Sequence, residues 1–186
     1  ASTDLRDRAL KFQTLFEHHC PHLIDELKGL AEGARVSFAE AMAVNIRGAL
    51  VKAGDGGCTA FVVSRRGTKA NEILIGQNSD QLPASMGLGY VLHLKPLGKP
   101  EILMWTFGGM IGYHGINSLG IGHFANDLGG GPAPRFGMPH YPPKRLIHEC
   151  SSMAELKSMN YLGQLKDYLA QHSKVDFVDL RSALTD

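Results

Sequence analysis

Apolar residues recur at helical spacing at the start of the chain. In residues 4–19 the stripe consists of Leu5, Ala9, Phe12 and Phe16. This spacing predicts a helix with one buried face. Pro21 fits the first turn of a second helix, and Gly33 is expected to end that helix.

Ser37 is followed three residues later by Glu40, which predicts a capping box. In such a box each side chain bonds the backbone N–H of the other residue. The box opens a third predicted helix, which extends to about Leu50. The whole N-terminal section is therefore predicted to be helical scaffold.

Residues 58–125 change to short runs of β-forming residues, separated by Gly, Pro and Asn turns. The runs are 59–64, 72–78, 89–95, 101–107 and 119–125. Several are apolar at consecutive positions, as in Phe61-Val62-Val63, which predicts strands covered on both faces. Because the connections are short, we expect antiparallel sheets held between layers of helices.

One hairpin of this section brings reactive side chains together. A turn-prone run, residues 54–57, ends at Cys58, where the first strand begins, and the second strand ends in Asn78 and Asp80. A turn at residues 65–69 would return the tip of the second strand beside the start of the first. A cysteine with a carboxylate beside it is an arrangement for a nucleophile. On spacing alone, a turn followed by a buried core thiol is the stronger interpretation.

The last third of the chain changes character again. Residues 129–143 are rich in glycine and proline and are predicted to form a long irregular loop. This loop lacks the lysine and hydroxyl residue of a phosphate-binding loop, so it predicts no nucleotide site. Helices are predicted at 142–150, 152–157, 160–172 and 176–184.

Composition narrows the class of protein. The 186 residues, 44% of them hydrophobic, are enough for one domain with its own core. A formal net charge of +1 gives no support to a nucleic-acid partner, and no apolar run is long enough to cross a membrane. Three cysteines indicate free thiols more than a disulfide framework. No signal peptide is visible, and the cytoplasm is the favoured location.

Three motifs, taken in order, carry a resemblance to a known family. They are Gly57-Cys58-Thr59, Gly76-Gln77-Asn78-Ser79-Asp80 and the glycine-rich segment 112–120. Together they resemble the acyl-CoA:6-aminopenicillanate (penicillin) acyltransferase-like family. That family is peptidase family C45 of the N-terminal-nucleophile (Ntn) hydrolase superfamily.

The resemblance implies an α+β fold, a four-layer αββα sandwich in which two antiparallel sheets lie between helix layers. It implies a single domain over residues 1–186, with a helical pro-segment at 1–57 and a β segment at 58–186 that begins at the nucleophile. It also implies a zymogen that cleaves itself. The thiol of Cys58 attacks the carbonyl of Gly57, and the resulting shift of the acyl group from nitrogen to sulfur frees the α-amine of Cys58. Hydrolysis of the thioester then separates the two fragments.

The freed amine supplies the base that the cysteine needs. The thiolate is the reactive form of cysteine, and an α-amine, with a pKa of about 7.7–8.0, can accept the thiol's proton. Gly57 suits this chemistry because it lets the thiol approach its carbonyl. We expect Asp80 to balance the protonated amine and Asn78 to hydrogen-bond at the site. A plain turn residue is the alternative for both.

The resemblance also indicates candidates for substrate binding. Tyr113 and His114 lie in the glycine-rich segment, and Asn126 ends a strand. Within the same segment, Asn117-Ser118 is expected to be a hairpin turn.

A cluster of histidines near residue 20 invites interpretation as a metal site. Its members are His18, His19, Cys20 and His22. Pro21 breaks the helical register between them, so an exposed helix end is the preferred interpretation. Neither a metal nor an organic cofactor is implied.

The sequence departs from the family pattern near residues 158–160. The family has further strands there, and a His-Thr-Asn-His segment whose asparagine contributes to the oxyanion hole. This sequence runs from Ser158 directly into a helical pattern. Either the strands were lost or internal residues are missing from the sequence given. The second is favoured, because deletion would expose sheet edges.

The resulting prediction is an autoprocessing N-terminal-cysteine hydrolase or acyltransferase. It would act on a small-molecule amide or acyl thioester through a thioester on Cys58, and its two cleavage fragments would stay associated. A homo-oligomer is left open. One alternative is a non-catalytic relative that binds or supports other molecules. Another is a conventional cysteine hydrolase with His114 or His123 as its base.

Overall fold

The computed structural model describes residues 2–50, 57–126, 137–139 and 141–159. The predicted helices at 160–172 and 176–184, and most of the predicted loop, lie outside the described residues. The described helices are α1 (Thr3–Leu10), α2 (Gln13–His19), α3 (Pro21–Ala34), α4 (Phe38–Asn45), α5 (Arg47–Leu50), α6 (Tyr141–Glu149) and α7 (Met153–Ser158). The described strands are β1 (Cys58–Val63), β2 (Leu74–Ser79), β3 (Gly89–Leu94), β4 (Ile102–Phe107), β5 (His114–Asn117) and β6 (Gly122–His123).

The N-terminal section is helical, as predicted, with shorter elements. The stripe at 4–19 is divided between α1 and α2, and Pro21 occupies the first turn of α3. Gly33 does not end that helix. The helix continues to Ala34 and ends at Arg35, which adopts the left-handed conformation with φ of 55°.

The predicted capping box is confirmed. The Ser37 side chain accepts from the backbone N–H of Glu40, and the Glu40 carboxylate accepts from the backbone N–H of Ser37. The helix that it opens, α4, stops at Asn45, and a short α5 follows. Asn45 is fully buried, and its side chain bonds backbone groups of Gly109 and Ile111.

The strands form two antiparallel sheets, as predicted. One sheet contains β1 and β2, and the other has the order β3-β4-β5-β6. The prediction missed β5, because Gly115 within it favours a turn. A Cβ on Gly115 would lie 2.4 Å from the carbonyl oxygen of Leu103, so this glycine permits close pairing with β4. The turn predicted at Asn117 is confirmed, since the N–H of Gly120 bonds the carbonyl of Asn117.

The main core lies among the first helices and extends to α6. It consists of Ala9, Phe12, Phe16, Cys20, Leu23, Ile24, Leu27, Ala31, Ala41, Met42, Ala43, Ile46, Leu50, Ile111 and Leu146. We call this set the helical core. A second cluster lies against one face of the four-stranded sheet, where Ile102 and Met104 are fully buried.

The prediction that strands are covered on both faces is wrong for the described residues. Phe61 is 55% exposed and Val62 49%, although alternation places them on opposite faces of the β1–β2 hairpin. On the larger sheet, Ile102 and Met104 are buried on one face, whereas Val91, Leu103 and Trp105 on the opposite face are exposed. We call this exposed apolar surface the open faces. It comprises Phe61, Val62, Leu74, Val91, Leu103 and Trp105.

A buried ionic network ties α6 to the N-terminal helices. Glu149 accepts from Arg145, from Lys99 and from the ring of His22. Arg145 also donates to Glu26 in α3. The described chain is therefore of mixed α and β content, with two antiparallel sheets and a helical core. Within it, no helix is long and apolar enough to cross a membrane.

Candidate functional site

The start of β1 and the end of β2 meet at the predicted nucleophile. Their antiparallel register pairs Cys58 with Ser79, and the backbone N–H of Asp80 donates to the carbonyl of Gly57 at 3.1 Å. The predicted hairpin is therefore confirmed. A short 3-10 segment, Arg65–Gly67, follows β1 and reverses the chain, so that the end of β2 lies beside Cys58.

The carboxylate of Asp80 lies against Gly57. A Cβ built on Gly57 would stand 2.8 Å from Oδ2 of Asp80, closer than real side-chain contacts allow. Only glycine leaves the carboxylate this close to the backbone that precedes Cys58. Gly57, Cys58 and Asp80 are thus brought together. Their catalytic and processing roles stay predictions.

Asn78 lies on the other face of the hairpin. The register pairs it with Thr59, one position from the Cys58–Ser79 pair, and successive strand residues point to opposite faces. Its backbone is close to the cysteine, but its side chain is placed away from the sulfur side. A catalytic role for Asn78 stays a prediction.

A polar chain leads away from the sulfur. Sγ of Cys58 lies 4.0 Å from Oγ of Ser79, within reach of a hydrogen bond to sulfur. Oγ of Ser79 accepts from Nε2 of Gln81 at 2.8 Å, and the same nitrogen donates to the hydroxyl of Tyr113 at 3.0 Å. This chain brings the predicted residue Tyr113 into connection with Cys58.

Tyr113 is held by an aromatic cluster. Its ring contacts Trp105, Phe107 and Tyr141, with ring centroids 5.3–5.9 Å apart. It is 5% exposed, so the position of its hydroxyl is set by packing. Nζ of Lys144 lies 4.6 Å from the centroid of the same ring.

The predicted residue Asn126 joins the sulfur side of the hairpin through Gln77. Nε2 of Gln77 donates to the carbonyl of Ala125 at 2.7 Å and to Oδ1 of Asn126 at 3.2 Å. Gln77 is two residues before Ser79 and shares its face. Oε1 of Gln77 is buried without a hydrogen-bond partner among the described residues.

The predicted residue His114 belongs to a buried basic group on the far side of Tyr113. Its Nε2 is 3.0 Å from Nζ of Lys144, and its ring contacts that of His123. His148 lies beyond His123 and is fully buried. Burial lowers the pKa of His148 to about 4, opposed by its contact with the carbonyl of Tyr113. His148 is therefore neutral at physiological pH.

Cys58 differs from the other two cysteines. Cys20 and Cys150 are fully buried, and burial raises the pKa of each thiol to about 12. Cys58 is only partly buried. Cys58 is therefore the thiol of the three that a reagent or substrate can reach.

The histidines near residue 20 do not converge on one point. The rings of His18 and His19 meet edge to face, whereas His22 contacts Glu149. Among the described residues, no group of three or more potential ligands is placed to hold a metal ion.

Four residues of the site were missed at the level of sequence: Ser79, Gln77, Gln81 and Lys144. Counting the hairpin register back from Cys58 would have found Ser79, and alternation would then have given Gln77. Gln81 and Lys144 meet Tyr113 only through tertiary packing, for which the sequence carries no local signal.

Comparison with known proteins finds a distant similarity to an acyltransferase. The chain is 28% identical over 156 residues to the acyl-coenzyme A:6-aminopenicillanic-acid-acyltransferase 40 kDa form of Emericella nidulans. The aligned part is 82% of this chain and 42% of that relative. The chain thus spans less than half the length of this relative. No protein-family model matches it.

This distant homology supports an acyltransferase-like family for the chain and an enzyme in general terms. It extends over most of the chain, so it includes both the helical section and strands of the site.

Proposed function

We propose that this chain is part of an acyl-transferring or amide-hydrolysing enzyme whose nucleophile is Cys58, freed by cleavage of the Gly57–Cys58 bond. The observation that carries the proposal is the carboxylate of Asp80 against Gly57, at the start of the strand that Cys58 opens. The distant homology to an acyltransferase supports the same reaction class.

The first step is self-cleavage. The Cys58 thiol attacks the carbonyl carbon of Gly57, the C–N bond breaks, and the acyl group moves from nitrogen to sulfur. The thiol's proton passes to the departing nitrogen, which becomes the amine. Water then hydrolyses the thioester, which gives a carboxylate on Gly57 and restores the thiol. Cys58 gains a free α-amine, whose pKa of about 7.7–8.0 lets it act as a base near neutral pH.

The second step is acyl transfer. The α-amine takes the thiol's proton, and the thiolate attacks the carbonyl of an amide or acyl thioester. The amine proton then passes to the leaving group, and a thioester on Cys58 remains. Water or an acceptor amine attacks this thioester and completes hydrolysis or transfer. Asp80 balances the protonated amine, which a carboxylate does more strongly than a neutral side chain.

Contacts across the proposed cleavage point favour fragments that stay together. Ile111 and Leu146 pack in the helical core with side chains from residues 2–50. Asn45 bonds Gly109 and Ile111 across the same boundary. We propose the four-layer Ntn sandwich as the arrangement of the whole domain, with a small-molecule amide or acyl thioester as substrate.

The test is intact mass and activity on the same preparations of full-length protein. Wild type should appear as two fragments divided before Cys58, whereas Cys58→Ala should stay uncut and lose amidase and transferase activity. Cys58→Ser should divide slowly, because a hydroxyl is a weaker nucleophile. Asp80→Asn should slow both steps. Asp25→Asn, in an exposed ion pair with Lys28, is the matched control and should change neither.

Two outcomes would replace the proposal. Cleavage of the Cys58→Ala variant before residue 58 would show that an outside protease cuts the chain. Activity of uncut wild type would exclude the α-amine as base and favour a histidine. The alternative function, a non-catalytic relative, rests on the absent His-Thr-Asn-His segment, since loss of one oxyanion donor costs about 10²–10³-fold in rate. An uncut, inactive wild type would support it.

A further inference from the structure

The hydroxyl of Ser79 faces the sulfur of Cys58 across the hairpin. Oγ is 4.0 Å from Sγ and also accepts from Nε2 of Gln81 at 2.8 Å. We propose that Ser79 stabilises the thiolate of Cys58 by donating a hydrogen bond to it, and that Gln81 orients the hydroxyl for this role. The catalytic meaning of this contact rests on the proposed function, whereas the contact itself can be tested separately.

The direction of the contact follows from counting hydrogens. A serine hydroxyl has one hydrogen and two acceptor lone pairs. In the neutral site, the Cys58 thiol donates to one lone pair and Gln81 donates to the other. The hydrogen of Ser79 is then free to rotate. When the thiol loses its proton to the α-amine, that hydrogen turns towards the sulfur, and no covalent bond of Ser79 changes.

Gln81 can hold this orientation because its own position is fixed. Both hydrogens of its Nε2 are used, one on Ser79 and the other on the hydroxyl of Tyr113. Tyr113 is 5% exposed and packed among aromatic rings. Gln81 is therefore a positioning residue that joins the rigid sheet to the nucleophile.

The contact gains strength once the sulfur is charged. Hydrogen bonds to ionised groups are shorter and about twice as strong as neutral ones. A contact at 4.0 Å in the thiol form is thus expected to shorten in the thiolate form. Its loss should reduce the thiolate population, and hence the reactivity of Cys58, by roughly tenfold.

Alkylation of Cys58 by iodoacetamide measures this reactivity without any substrate. Cys20 and Cys150 are fully buried, so the folded chain should take one label, at Cys58. The rate is followed from about pH 6 to about pH 10, which brackets the titration of ordinary thiols. Ser79→Ala should react roughly tenfold more slowly at low pH, with the midpoint of its pH profile about one unit higher. The plateau at high pH should change little.

Matched variants separate the hydroxyl from the fold. Ser64→Ala, just beyond the other end of β1, should keep the wild-type profile. Ser79→Thr and Ser79→Val differ by a hydroxyl in place of a methyl, and both suit a strand. Thr should keep the wild-type profile and Val should follow Ala. Equal profiles for Thr and Val would overturn the proposal, even if Ser79→Ala unfolds and takes three labels.

The sign of the effect at Gln81 tests its role. If Gln81 donates to Ser79, Gln81→Met frees the hydroxyl to turn elsewhere, and alkylation should slow by about threefold. If Gln81 instead accepts from Ser79, the same variant releases the hydroxyl towards the sulfur, and alkylation should accelerate. Acceleration or no change overturns the orienting role. Because the freed α-amine also affects the thiol, rates are compared only between preparations in the same cleavage state, checked by intact mass. An inactive, uncut wild type would refute the proposed function, whereas the difference between Ser79→Thr and Ser79→Val could still be measured on uncut chains.

Discussion

The helical core and the open faces use similar side chains in opposite ways. Phe16 in the core is fully buried, whereas Phe61 in the β1–β2 hairpin is 55% exposed. Leu27 and Leu74 differ in the same way. Both regions are apolar in sequence, so composition alone does not tell them apart. The difference places the stabilising burial of the helical core away from the hairpin at whose open end Cys58 and Asp80 lie.

The largest effect expected from this difference is in the helical core. Phe16→Ala should lower the free energy of unfolding by about 3–5 kcal/mol, because it removes a buried ring and leaves a cavity. Phe61→Ala, the matched variant on an open face, should cost less than about 1 kcal/mol. Urea denaturation of both proteins measures the contrast. Equal losses would show that Phe61 is covered in solution and would remove the distinction.

Ionic groups should show the same contrast between buried and exposed positions. Glu149→Gln leaves the buried Arg145, and the partly exposed Lys99, facing a neutral amide. It should cost about 3 kcal/mol in free energy of unfolding. Glu101 also meets two basic side chains, His93 and Lys95, but the three side chains are 48–66% exposed. Glu101→Gln should leave the urea midpoint within error of wild type. A comparable loss at both positions would contradict the contrast.

Acid should lower the free energy of unfolding through the buried side chain of His148. The pKa of His148 in the folded chain is lowered to about 4 from 6.5, so the unfolded chain binds more protons between these values. The stability that neutral, buried His148 contributes is present above pH 6.5 and is lost as the pH falls towards 4. Between about pH 7 and about pH 5 the loss should be about 2 kcal/mol.

A histidine variant isolates this contribution. His148→Gln should have a flatter dependence of unfolding free energy on pH over the same range. Ser64→Ala, which removes no ionisable group, should keep the wild-type slope. A wild-type slope in the His148 variant would show that other groups cause the acid sensitivity.

The smallest effect concerns the single tryptophan, Trp105, which lies on an open face and is 37% exposed. Acrylamide should quench its fluorescence readily in the native protein, with only a modest further increase on unfolding. Strong protection of the native protein would mean that this face is covered in solution. The measurement therefore tests, without any substitution, whether the open face that carries Trp105 is exposed in solution.

Local signals in the sequence predicted much of the fold. The capping box at Ser37 and the helix start at Pro21 depend on a few neighbouring residues, and both are found. The exposure of Phe61 could not be predicted in this way, because apolar neighbours indicate that a strand can be buried and not what covers it. Strand β5 was missed because Gly115 indicates a turn until its close approach to β4 is known.

The site was predictable to the extent that one hairpin determines it. The approach of Asp80 to Gly57 follows from two strands and one turn. The pairing of Ser79 with Cys58 needs the exact register, which depends on how many residues the turn consumes. The meeting of Gln81 with Tyr113 joins segments 32 residues apart. Such a contact depends on how the β1–β2 hairpin packs beside the larger sheet, and it has no local signature in the sequence.

A substitution at Arg35 could offset the loss of stability in variants of the site. It ends α3 in the left-handed conformation, with φ of 55°, where a side chain with a Cβ is strained and glycine is not. Arg35→Gly should therefore raise the thermal unfolding temperature slightly, although glycine also increases the freedom of the unfolded chain. The position belongs to the helical section and is remote in sequence from Cys58. It thus provides a stabilised background in which substitutions at the site can be expressed and compared.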